Sequence, residues 1–66
     1  MRLTINGEIK ENIRALTLKE LLEELGITPG RVAVEVNMSV IKKADYESSR
    51  IYDGDVIEIV NFVGGG

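Results

Sequence analysis

Alternating polar and apolar residues at the start of the chain predict a β-hairpin. Residues 2–5 follow the two-residue period of a strand with one buried face. Asn6-Gly7 comes next, a pair typical of the tight type I′ turn between antiparallel strands. Residues 9–14 alternate again and predict a second strand, with Ile9 and Ile13 on its apolar side.

The clearest pattern along the chain predicts one helix from Leu18 to Leu25. Thr17 and Glu20 match a capping box, in which the first residue caps the helix and the second lies at its third position. Gly26 suits the left-handed residue that ends a helix, and Pro29 blocks any continuation. The apolar stripe has the helical spacing i, i+3, i+4, i+7 and consists of Leu18, Leu21, Leu22 and Leu25.

The second half of the chain has the period of strands. Residues 32–36 alternate and predict a third strand with one buried face. Residues 40–43 predict a short edge strand whose lysines discourage pairing with other chains. Residues 44–52 are polar and mixed, which indicates a loop or a short 3₁₀ turn. After a turn at 53–55, residues 56–62 are apolar on both parities and predict a central strand.

This order of elements, ββαββ with the most apolar strand last, predicts an α+β domain. One leucine-striped helix covers one face of one mixed sheet of four to five strands. A right-handed crossover is expected to set the third strand parallel to its neighbour. The arrangement is the β-grasp or ubiquitin-like topology, with a single domain over residues 1–62 and a flexible tail over residues 63–66.

Composition and charge exclude several classes of function. The chain has 66 residues, 44% of them apolar and 29% charged, as in a soluble globular domain. It contains no cysteine and no histidine, so thiol nucleophiles and the commonest general base are missing. The net charge of −3, with scattered Lys and Arg, argues against nucleic acid and favours a basic protein partner. Apolar runs too short for a membrane span and the lack of a signal peptide lead us to expect a cytoplasmic protein.

The chain closes with Val63 and three glycines, Gly64, Gly65 and Gly66. A segment without Cβ atoms is thin and conformationally free, so it fits a narrow enzyme channel. Because the usual reactive side chains are missing, the carboxylate of Gly66 is the best candidate for a reactive group. The tail is therefore predicted to be the substrate of an enzyme.

These features together resemble a known family. A chain of this length that opens with an Asn-Gly hairpin, continues with a Leu-Leu helix and carries Val-Glu-Val-Asn at 34–37 is similar to the ThiS family of sulfur carriers. The Asp-Gly-Asp turn at 53–55 adds to the resemblance, and its most specific part is the ending Ile-Val-Asn-Phe-Val-Gly-Gly-Gly at 59–66. Asn61 departs from the histidine that members often carry, and Met38-Ser39 stands where a glycine turn or a charged pair is common.

The resemblance implies a carrier that is itself a substrate rather than an enzyme. An E1-like, ThiF-like adenylating enzyme would use ATP and Mg²⁺ to adenylate the carboxylate of Gly66. Sulfur from a cysteine desulfurase would then displace AMP and leave a C-terminal thiocarboxylate. A ThiG-like thiazole synthase would take that sulfur into the thiazole of thiamine. The chain itself would bind no cofactor, and Gly65 and Gly64 would provide clearance in the active site.

Two interpretations stay open for the apolar residues beside the tail. Phe62 and Val60 either pack in the core or contact a partner through a sheet face that the helix leaves uncovered. Val56, on the same parity, is expected in the core. The acids Asp53 and Asp55 flank a glycine, which indicates turn chemistry rather than a metal site.

Other functions remain as alternatives. A sulfur carrier for molybdopterin or for tRNA thiolation would share the same tail chemistry. A ubiquitin-like modifier would instead join Gly66 to lysines of other proteins. A β-grasp interaction module would not use the tail at all, so removal of the last glycines would not affect it.

Overall fold

A computed structural model describes residues 1–62, and the predictions for Gly64, Gly65 and Gly66 lie outside these residues. Over these 62 residues the structure has one α-helix and a sheet of five strands. The elements are β1 (Leu3–Ile5), β2 (Glu8–Lys10), α1 (Leu18–Leu25), β3 (Val32–Val36), β4 (Ser39–Ile41) and β5 (Val56–Asn61). Two short 3₁₀ turns, Pro29–Arg31 and Lys43–Asp45, flank β3 and β4.

The sheet has the strand order β2-β1-β5-β3-β4, with the last strand in the centre. β5 runs parallel to β1 and antiparallel to β3, so the sheet is mixed. The predicted central strand and the predicted fold class are confirmed. The expected parallel neighbour for the third strand is wrong, because β3 is antiparallel to both β5 and β4. The helical crossover starts from β2, and β2 is not a neighbour of β3 in the sheet.

The core lies between α1 and one face of the sheet. Leu18, Leu21 and Leu22 of the helix are fully buried, which confirms the leucine stripe as core. The sheet contributes alternate residues of its strands, as expected for a sheet with one covered face. These buried strand residues are Leu3, Ile5, Val32, Val34, Ile57 and Ile59.

The first hairpin has the predicted turn but a shorter second strand than expected. Asn6 and Gly7 have φ values of 51° and 81°, the positive pair of a type I′ turn. β2 ends at Lys10, and beyond it Ile13 exchanges two hydrogen bonds with Met1, of 3.0 and 2.8 Å. This pairing is offset by one residue from the register of β1 with β2, as in a β-bulge. The offset buries Ile13 and leaves Ile9 exposed on the opposite face.

The helix begins and ends at the predicted residues. The Thr17 side chain accepts a hydrogen bond of 3.2 Å from the Glu20 backbone N–H. Glu20 reaches back and accepts one of 2.8 Å from the Leu16 N–H. Gly26 closes the helix in the left-handed region, at φ 73°. Within residues 1–62, no helix is long and apolar enough to cross a membrane.

Candidate functional site

The sheet face opposite the helix carries the residues of the candidate site. Side chains alternate along a strand, so burial of Ile57 and Ile59 under the helix turns Val56, Glu58 and Val60 to the other side. Cross-strand partners share a face, which places residues of all five strands there. We call this surface the outer face, and it consists of Thr4, Ile9, Ala33, Glu35, Val40, Val56, Glu58 and Val60, with Phe62 at its end.

Apolar side chains on the outer face are exposed to solvent. Val60 and Phe62 are 58% and 60% exposed, so the structure favours the uncovered-face interpretation over core packing for both. The expectation that Val56 is a core residue is wrong, because it is 44% exposed. Ile9 and Val40 extend the exposed apolar surface to the two outermost strands. A surface of this kind on a small domain is typical of a protein-binding site.

Phe62 connects the outer face to the tail. Its backbone N–H donates a hydrogen bond of 2.9 Å to the Arg31 carbonyl, which continues the pairing of β5 with the β3 side beyond Asn61. The chain is therefore held in the sheet as far as Phe62. A partner that binds the outer face at this end meets residues 63–66 next along the sequence.

Two asparagine side chains hold β5 in place. The Asn6 amide donates to the Ile59 carbonyl at 3.1 Å and accepts from the Ile59 N–H at 2.7 Å. It thereby acts as one more residue of β1 beside the central strand. Asn37 accepts a hydrogen bond of 2.9 Å from the Val56 N–H at the other end of the strand. These contacts fix the strand that leads to the glycine tail.

The structure also shows a pair of acids on the outer face that the sequence did not indicate. Glu35 of β3 and Glu58 of β5 are direct cross-strand partners. Glu35 is half-buried and Glu58 is exposed. Alternation places each acid on the outer side of its own strand, but only the register between β3 and β5 brings the two together.

The acids of the 53–55 turn accept hydrogen bonds that hold the turn and attach it to the start of the chain. Asp53 accepts a hydrogen bond of 2.7 Å from the Arg2 backbone N–H. Asp55 accepts from the Tyr52 N–H at 2.8 Å and from the Asn37 amide at 3.1 Å. Turn chemistry is thus confirmed for Asp55, whereas Asp53 joins the turn to the backbone of Arg2. Within the described part of the chain, no three or more acids come together in a way that would hold a metal ion.

These observations define the class of protein. One helix on a five-stranded mixed sheet in the order β2-β1-β5-β3-β4 is the ubiquitin-like β-grasp fold. Its exposed apolar sheet face includes residues of β5, the strand that precedes the glycine ending in the sequence.

The comparisons with known proteins narrow this class to a family. The sequence model of the ThiS family matches residues 3–66, so the chain belongs to the ThiS family. It is 40% identical to the sulfur carrier protein ThiS of Bacillus subtilis, over 97% of this chain and 98% of that protein. The crystal structure of the thiamine biosynthesis protein ThiS from Geobacter metallireducens superposes with a TM-score of 0.83 at 33% identity, covering 100% of both chains.

A further relative is much longer than this chain. A thiazole synthase of Paramagnetospirillum magneticum is 44% identical over 66 residues, which are 100% of this chain and 20% of that protein. The chain therefore spans about a fifth of the length of that relative.

Proposed function

We propose that this protein is a sulfur carrier whose Gly66 carboxylate is adenylated, converted to a thiocarboxylate and used to supply sulfur for the thiazole of thiamine. Membership of the ThiS family supports the carrier role. The Bacillus subtilis relative is named a sulfur carrier protein, and the Geobacter metallireducens structure is named a thiamine biosynthesis protein. The proposal places the protein in the cytoplasm, where ATP is available.

The proposed chemistry turns an unreactive carboxylate into a sulfur donor. A carboxylate oxygen of Gly66 attacks the α-phosphorus of ATP, which releases pyrophosphate and leaves an acyl adenylate. The terminal sulfur of the desulfurase persulfide then forms a C–S bond as the C–O bond to AMP breaks, which leaves an acyl disulfide. A thiol reductant, such as excess cysteine, attacks the sulfur on the desulfurase side, so that the S–S bond breaks, the thiocarboxylate is released and a disulfide forms between that thiol and the desulfurase. ATP, Mg²⁺ and the catalytic groups belong to an E1-like, ThiF-like adenylating enzyme. The chain contributes its folded surface and its tail, as a substrate does.

The observation that carries the proposal is the exposed apolar end of the outer face. Phe62 and Val60 lie beside the start of the tail and are more than half exposed. A partner that binds them is positioned to receive residues 63–66 in its active site. Gly65 and Gly64 have no side chains and would pass a narrow entrance that a larger residue would block.

A thiazole synthase is the proposed receiver of the sulfur. The Paramagnetospirillum magneticum relative of that name contains a segment similar to the whole of this chain. Proteins that act together are held together in such a single polypeptide. This similarity favours thiamine over molybdopterin or tRNA thiolation as the destination.

Intact mass spectrometry tests the carrier role directly. The protein is incubated with its adenylating enzyme, ATP, Mg²⁺, a cysteine desulfurase and cysteine. We expect a mass shift equal to one oxygen-for-sulfur exchange, absent from a variant that lacks Gly66. Gly65→Val should remain folded but lose the shift, because its side chain blocks entry to the active site. An unmodified wild-type protein, or its appearance in heavier conjugates, would contradict the proposal.

A pair of aromatic variants tests the contact surface. Phe62→Ala should weaken binding to the adenylating enzyme about tenfold, as expected when a central aromatic contact is lost. Tyr52→Ala is the control, since Tyr52 is 62% exposed but precedes β5, at the end of that strand away from the tail. Affinities are measured by titration calorimetry. Equal affinity of the two variants would show that Phe62 does not contact the adenylating enzyme.

A further inference from the structure

Glu35 and Glu58 lie at the middle of the outer face in an unfavourable arrangement. The Phe62 N–H donates to the Arg31 carbonyl and the Asn37 N–H donates to the Val56 carbonyl at 2.7 Å. These two bonds mark hydrogen-bonded pairs at the two ends of the β3–β5 pairing. Hydrogen-bonded and non-hydrogen-bonded pairs alternate along an antiparallel ladder, so Glu35 and Glu58 form a hydrogen-bonded pair. Their Cα atoms are then about 5.5 Å apart, with both side chains on the same side. Like charges placed directly opposite each other destabilise a sheet.

The surroundings of this pair do not compensate its charge. Among residues 1–62, neither carboxylate takes part in an ion pair or a hydrogen bond. Val56 and Val60 flank Glu58 along β5, and Val40 is the partner of Glu35 on β4. Two residues of like charge thus face each other across β3 and β5 within an exposed apolar surface. A cation that sits between them would relieve their repulsion and share their negative charge.

We propose that the Glu35–Glu58 pair receives one arginine side chain from the adenylating enzyme when that enzyme covers the outer face. A planar guanidinium offers parallel N–H donors to both carboxylates, and its flat faces pack against neighbouring apolar side chains. Arginine is also enriched at the centres of protein interfaces. The inference rests on the proposed function and adds to it the chemistry of the partner surface: an arginine surrounded by apolar residues.

Charge favours the adenylating enzyme as the occupant. The carrier has a net charge of −3, so a basic partner surface attracts it and speeds their encounter. The adenylating enzyme must also take up residues 63–66, which follow in sequence on the end of the outer face at Phe62. Contact with this face therefore serves the reaction that the proposed function assigns to that enzyme.

Charge-removing variants of the full chain test the inference. Glu35→Gln and Glu58→Gln keep the shape of the side chain, and Glu23→Gln on the exposed side of α1 is the matched control for the same loss of charge. We expect each outer-face variant to bind the adenylating enzyme about tenfold more weakly, the size of one lost charge-assisted hydrogen bond. Binding of the double variant should be weaker still and less sensitive to salt. The control should stay within about twofold of wild type.

Two readouts separate this inference from simple misfolding and from failure of the proposed function. Urea unfolding of the free protein should show the Gln variants to be at least as stable as wild type, because the repulsion is gone. Wild-type affinity and salt dependence in the double variant would overturn the inference, even if the wild-type protein is thiocarboxylated normally. Absence of the thiocarboxylate mass in the wild type would instead overturn the proposed function.

Discussion

At the scale of single residues, Met38 has a backbone conformation that suits glycine. It follows Asn37 in the turn between β3 and β4, and their φ values of 74° and 50° are both positive. A left-handed conformation costs a residue with a Cβ atom about 1–2 kcal/mol, and Met38 is 91% exposed, so packing does not offset this cost. We expect Met38→Gly to stabilise the protein by about 0.5–1 kcal/mol in urea unfolding. Met38→Ala keeps the Cβ atom and should show no such gain.

Tyr46 makes the free energy of unfolding depend on pH in the alkaline range. Its hydroxyl donates a hydrogen bond of 3.4 Å to the Val32 carbonyl, and burial raises the pKa of the phenol. The folded protein then holds this proton at a pH where the unfolded chain, with a tyrosine pKa of about 10, has released it. The contribution to stability is therefore complete below about pH 10 and is lost as the pH rises further.

The variant Tyr46→Phe measures this contribution. Near pH 8 the variant should be less stable than wild type by about 0.5–1.5 kcal/mol, the value of one hydrogen bond. The difference should shrink above about pH 10, because only the wild type pays to deprotonate a buried phenol. Urea unfolding of both proteins at several pH values gives the comparison. A difference that stays constant up to about pH 11 would contradict the assigned cause.

At the scale of elements, Glu24 ties the helix to the segment that precedes it. Glu24 accepts hydrogen bonds from the backbone N–H groups of Ala15 at 2.9 Å and Arg14 at 3.1 Å. Glu24→Ala should therefore cost about 1–3 kcal/mol, because donors of the connecting segment lose a charged acceptor. Glu23→Ala is the control on the same helix, since Glu23 is exposed, and it should change stability by less than about 0.5 kcal/mol. Thermal unfolding of the two variants gives the comparison. Equal losses of stability would show that Glu24 acts only through helix propensity.

The elements also show which parts of the fold the sequence predicts. The bounds of α1 follow from local contacts of Thr17, Glu20 and Gly26, so sequence reasoning found them correctly. The directions of β3 and its neighbours depend on which strands become neighbours, and there the expectation was wrong. The burial of Ile13 likewise depends on strand pairing, because the one-residue offset against β1 turns its side chain into the core.

In the candidate site too, features that depend on the pairing of distant strands could not be predicted from the sequence. For Phe62 and Val60 the sequence alone leaves core packing and an uncovered face as alternatives, and the structure shows both side chains exposed. Val56 was assigned to the wrong environment, because an apolar residue on a central strand does not reveal whether its face is covered. The Glu35–Glu58 pair was missed altogether, since only the register of two strands distant in sequence joins them.

At the scale of the whole molecule, the domain makes the tail a better substrate than the same residues would be alone. The sheet fixes the chain as far as Phe62, and the outer face supplies binding energy that can position Gly66 in the active site of the adenylating enzyme. A synthetic peptide of residues 59–66 keeps the tail but loses the outer face. We expect its kcat/KM for adenylation, measured by pyrophosphate exchange, to be at least about 100-fold below that of the full chain. Phe62→Ala in the full chain should lie between the two, because it removes one contact and leaves the others. A peptide as efficient as the full chain would show that the enzyme recognises the tail alone, and the exposed outer face would then need another explanation.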